Sequence, residues 1–298
     1  MHLFISNSNK ITKIIMVFLV FFITYNAFLM LCNPKVTRFQ NQWQKNYSTA
    51  QDFIYGERTS SIIVGSSLAA RLSKNTLPFD YYNLSFSGGS VLTGLELIKR
   101  TEHIPKYIYI ESNFIFRNKS ITMLDDLFYP VWWKVKRYIP AFKEKFQPLN
   151  VIYSKKICHT KPKVKLNKST NWKKPKNLEN IVNSKKFKLM MKQENNKLKQ
   201  KLNYKYQLKY LQRLITYFET NGTEVIFFEM PIEKSLASSS KSIQRRDIIK
   251  NTFTNKWLPL PTNEDYFTRD GLHLVDYSAW IYTKKFLSDV ENIISVIK

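Results

Sequence analysis

The sequence contains few of the residues that build metal centres and disulfide networks. Only two cysteines, Cys32 and Cys158, and four histidines occur among its 298 residues. Two cysteines so far apart form neither a zinc-binding pattern nor the framework of a disulfide-rich protein. Hydrophobic residues make up 44% of the chain, which is enough for a folded core and argues against global disorder.

Acidic residues are also scarce, with 22 Asp and Glu against 47 Lys and Arg and a net charge of +25. The imbalance is concentrated in residues 131–210, which hold 23 basic residues and three acidic ones. Three interpretations stay open for this segment: contact with anionic lipid head groups, contact with an anionic polymer, or a solvated lysine-rich surface. We do not expect nucleic-acid binding, because no motif of a known nucleic-acid module is present.

One long hydrophobic run stands near the N-terminus. After a polar tail at 1–13, residues 14–32 are 19 residues without a charge, long enough to span a bilayer as a helix. A cleaved signal peptide is the alternative, but no small-residue cleavage site follows the run. We favour an uncleaved single-pass membrane anchor, although lysines on both flanks leave its orientation undecided by charge.

A polar connector at 33–58 leads to one predicted domain at 59–298, with a basic, partly helical insertion at 119–205. Short apolar or aromatic runs alternate here with helical patterns, which predicts an α/β fold around a parallel sheet. The predicted strands are Ile62–Val64, Tyr82–Phe86, Lys106–Glu111 and Glu224–Glu229. Helices are predicted at about 91–100, 206–221 and 276–297, with partial helix at about 183–200.

The first predicted strand is followed by Gly65-Ser66-Ser67 and then by good helix formers from Leu68 onward. This strand–turn–helix pattern places a serine at the carboxyl edge of the sheet, where it is either a nucleophile or a helix N-cap. Asp270 and His273 stand three residues apart in a later loop. A serine, a base and a carboxylate that orients the base are the groups that acyl transfer requires.

Four blocks, in this order, resemble the SGNH/GDSL hydrolase superfamily: Gly65-Ser66-Ser67-Leu68, Asn83-Leu84-Ser85-Phe86-Ser87-Gly88, Ser112-Asn113 and Asp270-x-x-His273. The resemblance implies a three-layer α/β/α sandwich of flavodoxin-like type. It implies Ser67 as nucleophile, His273 as base and Asp270 as the carboxylate that holds the base. It further implies an oxyanion hole made by the backbone N–H groups of Ser67 and Gly88 and the Asn113 amide. Neither a metal nor a cofactor is implied.

The chain departs from the family pattern at three positions. Ser66 stands where the first block usually has Asp, Glu111 replaces the usual leading glycine of the third block, and Phe114 replaces its following Asp. Gly-Ser-Ser variants resemble membrane-anchored branches that act on acyl groups of cell-envelope polysaccharides or teichoic acids. The resemblance therefore implies an esterase or acyltransferase, with acetyl as the first candidate acyl group and the catalytic domain facing the periplasm or the cell exterior.

Two other functions stay open at this point. A lipid ester is an alternative substrate, given the anchor, and a catalytically inactive scaffold could bind an anionic polymer or a partner through the basic insertion. Glu111 and Glu229 end predicted strands, and we expect both in solvent or in capping roles.

Overall fold

The computed structural model describes residues 3–154, 187–189, 191–192, 204–262 and 266–297. The chain divides into two compact units. One combines Met1–Tyr55 with Asp125–Leu166, and the other combines Gly56–Leu124 with Asn167–Lys298. Most of the basic insertion after residue 154 lies outside the described residues. Of its predicted helix at about 183–200, residues 187–189 and 191–192 are described, and they are helical.

Besides the helical residues 187–189 and 191–192, ten further α-helices lie in the rest of the described residues. They are α1 (Leu3–Cys32), α2 (Gln42–Tyr55), α3 (Val91–Arg100), α4 (Ile121–Leu127), α5 (Trp132–Tyr138), α6 (Pro148–Ile152), α7 (Lys205–Thr220), α8 (Lys234–Ala237), α9 (Ser240–Thr252) and α10 (Asp276–Ile297). The three helices predicted near 91–100, 206–221 and 276–297 are confirmed as α3, α7 and α10.

Helix α1 contains the predicted apolar run. Its Asn9–Cys32 stretch has 24 residues, a mean hydropathy of 2.5 and little burial within the protein, so by length and composition it could cross a membrane. At the C-terminal end of α1, Leu29 packs against Phe146 and Val151 of the same unit. The Tyr25 hydroxyl donates a hydrogen bond to the Phe146 carbonyl.

The second unit is an α/β structure with a five-stranded parallel sheet in the order β2-β1-β3-β4-β5. Its strands are β1 (Ser61–Gly65), β2 (Tyr81–Ser85), β3 (Tyr107–Glu111), β4 (Glu224–Phe228) and β5 (Lys256–Trp257). The four predicted strands are therefore confirmed. Strand β5 was not predicted, because two residues are too few to show any alternation of apolar and polar side chains.

Buried side chains cover both sides of the central strands. Ile63 on β1 pairs in register with Tyr109 on β3, and both are fully buried. Phe286 of α10 packs edge-on against Tyr109, with ring centroids 5.4 Å apart. Residues one position along a strand point to the opposite side, and there Gly94 of α3 comes close to Val64. The sheet is thus held by apolar contacts on both sides, which explains its continuously apolar strands.

The segment after Ser67 differs from the helix that the sequence predicts. Only a 3-10 helix, Ala69–Arg71, forms before the chain leaves helical geometry at Leu72. The Asn83 side-chain amide donates to the Ala69 carbonyl at 2.8 Å, and the Leu72 N–H bonds to that same carbonyl. These bonds close the segment after one turn, so tertiary contacts override the local helix preference.

Substitution of Gly65 by alanine tests how tightly the end of β1 is packed. A Cβ at this position would lie 2.5 Å from the Ala69 Cβ and 2.6 Å from Glu111 Oε2. We expect Gly65→Ala to lower the free energy of unfolding by about 2 kcal/mol through overpacking. Thermal unfolding by circular dichroism measures this loss. Gly222→Ala is the control for a generic glycine effect, because it is strained by its positive φ but has open space around it. Unchanged stability of Gly65→Ala would contradict the packing described here.

Candidate active site

Ser67 and His273 are 206 residues apart in sequence and in direct contact in the structure. The Ser67 Oγ lies 2.9 Å from the His273 Nε2. On the other side of the ring, His273 Nδ1 lies 2.8 Å from Asp270 Oδ2 and 3.1 Å from Oδ1. An ionised carboxylate only accepts hydrogen bonds, so the ring hydrogen belongs on Nδ1. Nε2 of the neutral ring is then free to accept the serine proton.

A tight loop presents Asp270 and His273 side by side. The Asp270 carboxylate accepts hydrogen bonds from the backbone N–H of Leu272 at 3.1 Å and of His273 at 2.9 Å. Gly271 between them has a φ of 86°, a left-handed conformation that favours glycine. The Gly271 carbonyl accepts a hydrogen bond from the Glu233 N–H at 2.8 Å. The three-residue spacing therefore works because the aspartate side chain closes its own turn.

The charge on Asp270 is favoured by this arrangement. Partial burial alone would raise the pKa of the carboxyl group, but hydrogen bonds from the His273 backbone, the His273 ring and the Leu272 backbone together hold the pKa below its ordinary value. Asp270 is thus ionised at neutral pH. It can both orient the neutral imidazole and stabilise the imidazolium that forms when Nε2 takes a proton.

A buried glutamate holds the turn that carries the serine. The Glu111 carboxylate, at the end of β3, accepts hydrogen bonds from the Ser66 N–H at 2.6 Å and from the Ala69 N–H at 3.2 Å. The Ser66 hydroxyl donates to it at 2.8 Å. Ser66 is therefore turned inward against Glu111, whereas its neighbour Ser67 faces His273. Of the two serines, Ser67 is the one placed for proton transfer to the base.

Glu111 has no exposed surface, and this burial raises its pKa above the ordinary range despite the hydrogen bonds from Ser66 and Ala69. Glu229 ends the neighbouring strand and is also buried, in a bidentate ion pair with Arg246 at 2.8 and 2.9 Å. Of the two roles expected for these glutamates, solvent exposure is wrong for both. For Glu111 the capping interpretation is nearer, because it accepts hydrogen bonds from backbone N–H groups.

The glycine loop after β2 lies next to the end of β1. The Phe86 N–H donates to the Gly65 carbonyl at 3.1 Å, and Gly88, two residues on, has a φ of 67°. Ser90 caps α3 by accepting a hydrogen bond from the Leu92 N–H. Gly89 cannot carry a side chain without a shift, since a Cβ there would lie 2.5 Å from the Phe86 Cβ. Gly88 is the exposed residue of this loop, so the chain presents bare backbone at that position.

Asn113 stands two residues after β3, and its amide is already engaged. Its Nδ2 donates to the Met230 carbonyl at 3.0 Å, and its Oδ1 accepts from the Met230 N–H at 2.7 Å. An amide nitrogen carries two hydrogens, so this pairing uses one of them and leaves a second for another acceptor. The structure therefore ties the loops after β3 and β4 together through the residue that the resemblance assigns to the oxyanion hole.

The three residues predicted for nucleophile, base and carboxylate are brought together in one hydrogen-bonded chain. Gly88 and Asn113 lie on the loops after β2 and β3, the strands on either side of β1. Among the described residues, no cluster of three or more His, Cys, Asp and Glu side chains could hold a metal ion. A comparison with models of known protein families and with curated protein sequences found no match to this chain.

Sequence reasoning missed the part that Glu111 plays. A signal was present, because a charged residue closes an otherwise apolar strand at the edge where the serine turn lies. Buried charges need hydrogen-bond partners, and Ser66 supplies one as a hydroxyl donor. The other donors to Glu111 are backbone N–H groups of the turn. Their positions depend on the turn geometry, which the sequence does not show.

Replacing Glu111 tests whether it positions Ser67. In the wild type, both oxygens of the Glu111 carboxylate accept hydrogen bonds from the turn. In Glu111→Gln an NH₂ group replaces one of these oxygens, so a donor of the turn loses its acceptor. We therefore expect the turn to shift and modification of Ser67 by a fluorophosphonate to slow about tenfold. Glu229→Gln is the matched control, because it alters a buried carboxylate at the next strand end that does not contact the turn. Labelling rates are compared between preparations that contain the same fraction of folded protein. A slower rate then reports a displaced Ser67 and not unfolding. Equal rates in the wild type and Glu111→Gln would refute the positioning role.

The same variant carries a pH signature. A raised pKa in the folded state means that stability is highest below the ordinary glutamate pKa and falls as pH rises through the folded value. Glu111→Gln removes that fall. Urea unfolding of both proteins across the acidic and neutral range measures it, and parallel curves would show that Glu111 has an unperturbed pKa.

Proposed function

We propose that the protein is a membrane-anchored serine esterase or O-acyltransferase acting on acyl groups, acetyl first among them, of a cell-envelope carbohydrate. The observation that carries the proposal is the chain from Ser67 Oγ through the His273 ring to the Asp270 carboxylate. In addition, the parallel sheet with α3 packed near Val64 and α10 packed on Tyr109 fits the three-layer sandwich and SGNH fold that the sequence motifs suggest.

The proposed chemistry proceeds through an acyl-enzyme. Ser67 Oγ attacks the ester carbonyl carbon while His273 Nε2 takes the hydroxyl proton, and Asp270 stabilises the resulting imidazolium. The tetrahedral intermediate collapses, the C–O bond to the leaving alcohol breaks, and His273 returns the proton to that alcohol. Water or a second sugar hydroxyl then attacks the acyl-enzyme by the same steps in reverse. Attack by water makes an esterase, and attack by a sugar makes a transferase.

The oxyanion would be stabilised by the backbone N–H groups of Ser67 and Gly88 and by the remaining amide hydrogen of Asn113. The bonds between Asn113 and Met230 support this assignment, because they fix the amide plane in one orientation. Neither a metal nor a cofactor takes part in the proposed steps.

In the proposal α1 anchors the chain in the inner membrane, with the catalytic unit on the periplasmic or outer side. A reporter fused to the C-terminus that reads as cytoplasmic would overturn this orientation. An acylated lipid is a second substrate class compatible with an anchored enzyme. The same preparation is tested on acetylated oligosaccharides and on short-chain diacylglycerol. The faster rate of hydrolysis decides between the two substrate classes.

The direct test is covalent labelling of the full chain in non-ionic detergent with a fluorophosphonate. We expect rapid labelling of the wild type, none of Ser67→Ala, and a rate at least about 10³-fold lower for His273→Ala. Ser85→Ala is the serine control, since that buried hydroxyl at the end of β2 has no hydrogen-bond partner among the residues that the structure describes. It should label normally.

Absence of labelling in a folded wild type would refute the enzymatic proposal. It would favour the alternative of a catalytically inactive, membrane-tethered scaffold that binds an anionic polymer or partner through its basic insertion. Binding measured after neutralising lysines 155–176 would then be the next experiment. Labelling that persists in Ser67→Ala would instead move the nucleophile to another residue.

Asn113 gives a separate test of the oxyanion hole. We expect Asn113→Ala to lower the rate of 4-nitrophenyl acetate hydrolysis by about 10²-fold, as for loss of one oxyanion donor. Because the variant also loses two bonds to Met230, Asn113→Asp serves as the second variant: its carboxylate keeps the acceptor for the Met230 N–H but supplies no donor. Both variants should be slow if the amide donates to the oxyanion. Full activity of Asn113→Asp would exclude the amide from that role.

A further inference from the structure

Helix α1 is covered along one face by a later part of the chain, residues 129–146, which we call the aromatic segment. Both belong to the same compact unit. Phe22 packs on Phe142 with ring centroids 5.3 Å apart, and Leu29 packs against Phe146. Phe22 and Leu29 are seven residues apart, hence on the same face of the helix and about 10 Å apart along its axis. The aromatic segment therefore follows α1 for two turns.

These contacts lie inside the part of α1 that would be in the bilayer. The charge-free run at 14–32 is about 28 Å long as a helix, which only just matches a hydrocarbon core of about 30 Å. The whole run must therefore lie in the hydrocarbon core for α1 to span it. Phe22 is the ninth residue of the run, and Leu29 stands three residues before its end. An element that packs on α1 between these two residues must enter the bilayer with it.

Two polar side chains on this face of α1 bond to the backbone of the aromatic segment. The Tyr25 hydroxyl donates to the Phe146 carbonyl, and the Asn26 Oδ1 accepts from the Ala141 N–H at 3.1 Å. The Asn26 Nδ2 donates to the Phe22 carbonyl of its own helix at 2.9 Å. Polar side chains within a bilayer hold neighbouring elements by hydrogen bonds of this kind. Tyr25 and Asn26 thus have a function that a helix surrounded by lipid alone would not give them.

The aromatic segment also satisfies its own backbone donors where it approaches α1. From Ile139 to Glu144, each backbone N–H donates to an acceptor within the protein, and Pro140 has no N–H. The acceptors are, in order, the Val135 carbonyl, Asn26 Oδ1, the Ile139 and Pro140 carbonyls, and Gln51 Oε1. The hydrocarbon core holds no water, so backbone donors there need protein acceptors. This stretch meets that requirement.

The exposed side of the aromatic segment is apolar and aromatic. No residue of α5 is buried, although two of its seven residues are tryptophans. Trp132 is 49% exposed, and its neighbours Val131 and Tyr138 are 71% and 77% exposed. Trp132 meets Phe142 edge-on with ring centroids 5.4 Å apart, so it continues the surface that begins at Phe22 of α1. A large exposed apolar surface marks an interaction site, and its continuity with α1 indicates acyl chains as the partner.

The cations of α5 are compatible with this position. Lys134 and Arg137 are exposed, whereas Lys136 is partly buried and interacts with the Glu144 carboxylate. Tryptophan and tyrosine together with lysine and arginine are typical of elements at a membrane interface. Long basic side chains can lie along apolar surface and carry their charge to the water. Lys134 and Arg137 can therefore reach the phosphate layer from an element whose rings lie below it.

We propose that the aromatic segment enters one leaflet of the bilayer beside α1, with Trp132 and Tyr138 in contact with acyl chains and Lys134 and Arg137 reaching the phosphate layer. The lipid bilayer is thus the partner of this surface, and the protein is attached to it by a second element besides α1. The proposal rests on the membrane anchor proposed above and is independent of the chemistry at Ser67.

The test places the photocross-linker benzoylphenylalanine at single positions of the full chain in vesicles of equal parts phosphatidylcholine and phosphatidylglycerol. Trp132 and Tyr138 are the two test positions. Phe18 of α1, which is 65% exposed, reports the anchor, and Phe79, a 98% exposed aromatic residue of the other unit, controls for exposure alone. We expect positions 132 and 138 to form at least ~10-fold more lipid adduct than position 79, because only a side chain in the bilayer meets acyl chains. Mass spectrometry measures the adducts, and circular dichroism checks that each variant is folded.

The outcomes separate this proposal from the anchor and from catalysis. Adducts at position 18 with none at 132 and 138 would overturn the proposal and leave the anchor standing. No adduct at position 18 would refute the anchor and the proposal together. Equal adducts at position 79, or cross-links from 132 and 138 to a second copy of the chain in place of lipid, would also overturn it. Fluorophosphonate labelling of Ser67 reports the catalytic proposal independently of all these results.

Asn26 gives a second test, of the contact that sets the depth of the segment. Asn26→Leu removes the acceptor of the Ala141 N–H, and we expect hydrogen exchange of the peptide that carries Ala141 to accelerate about tenfold in the same vesicles. Thr24→Leu is the matched control, because the exposed Thr24 hydroxyl bonds to the Val20 carbonyl of its own helix. It should leave the exchange unchanged. Exchange in Asn26→Leu as slow as in the wild type would show that α1 does not hold the segment and would overturn the proposal.

Discussion

The candidate site depends on one buried carboxylate. Glu111 gathers the Ser66 N–H, the Ser66 hydroxyl and the Ala69 N–H on the carboxyl edge of the sheet. These bonds fix the turn after β1, point Ser66 inward and leave Ser67 facing the histidine. A buried carboxylate is costly unless several donors surround it, so the turn and the glutamate constrain each other. The absence of space for a Cβ at Gly65 follows from the same close packing.

The second half of the site is built by a different device. Asp270 closes a turn with its own side chain, and the Thr268 and Leu274 bridge holds the two ends of the loop together. The Gly271 carbonyl connects this loop to the segment after β4 through the Glu233 N–H. Asp270 and His273 are therefore held in place by local geometry, and only their approach to Ser67 requires the whole fold. In the proposed mechanism, such preorganised polar groups would lower the reorganisation needed during acyl transfer.

A cavity of about 350 Å³ is lined by Leu68 and Leu272, which are the chain neighbours of Ser67 and His273. A ligand in the cavity would therefore lie beside the candidate catalytic pair. Arg117 lines the cavity, and its backbone carbonyl accepts a hydrogen bond from the Ser90 hydroxyl at the end of the loop after β2. Asn113 lines the same cavity and holds the loop after β4 through Met230. In the proposed enzyme a substrate that fills the cavity would thus contact the same loops that shape the oxyanion hole.

The sequence by itself determined the apolar N-terminal helix, four of the five strands, the helices α3, α7 and α10, and the placement of Asp270 and His273 in one loop. Those features are local: a hydrophobic run, β-branched strands, amphipathic spacing and a turn closed by its own aspartate. Only the tertiary structure decided the short β5, the early end of the helix after Ser67, the burial of Glu111 and Glu229, and the cavity lined by Leu68 and Leu272. Each of these depends on contacts between residues far apart in the chain, such as Glu111 with Ser66 or Asn83 with Ala69. Local propensity does not encode such long-range contacts, because burial and hydrogen-bond partners are set by how the elements pack.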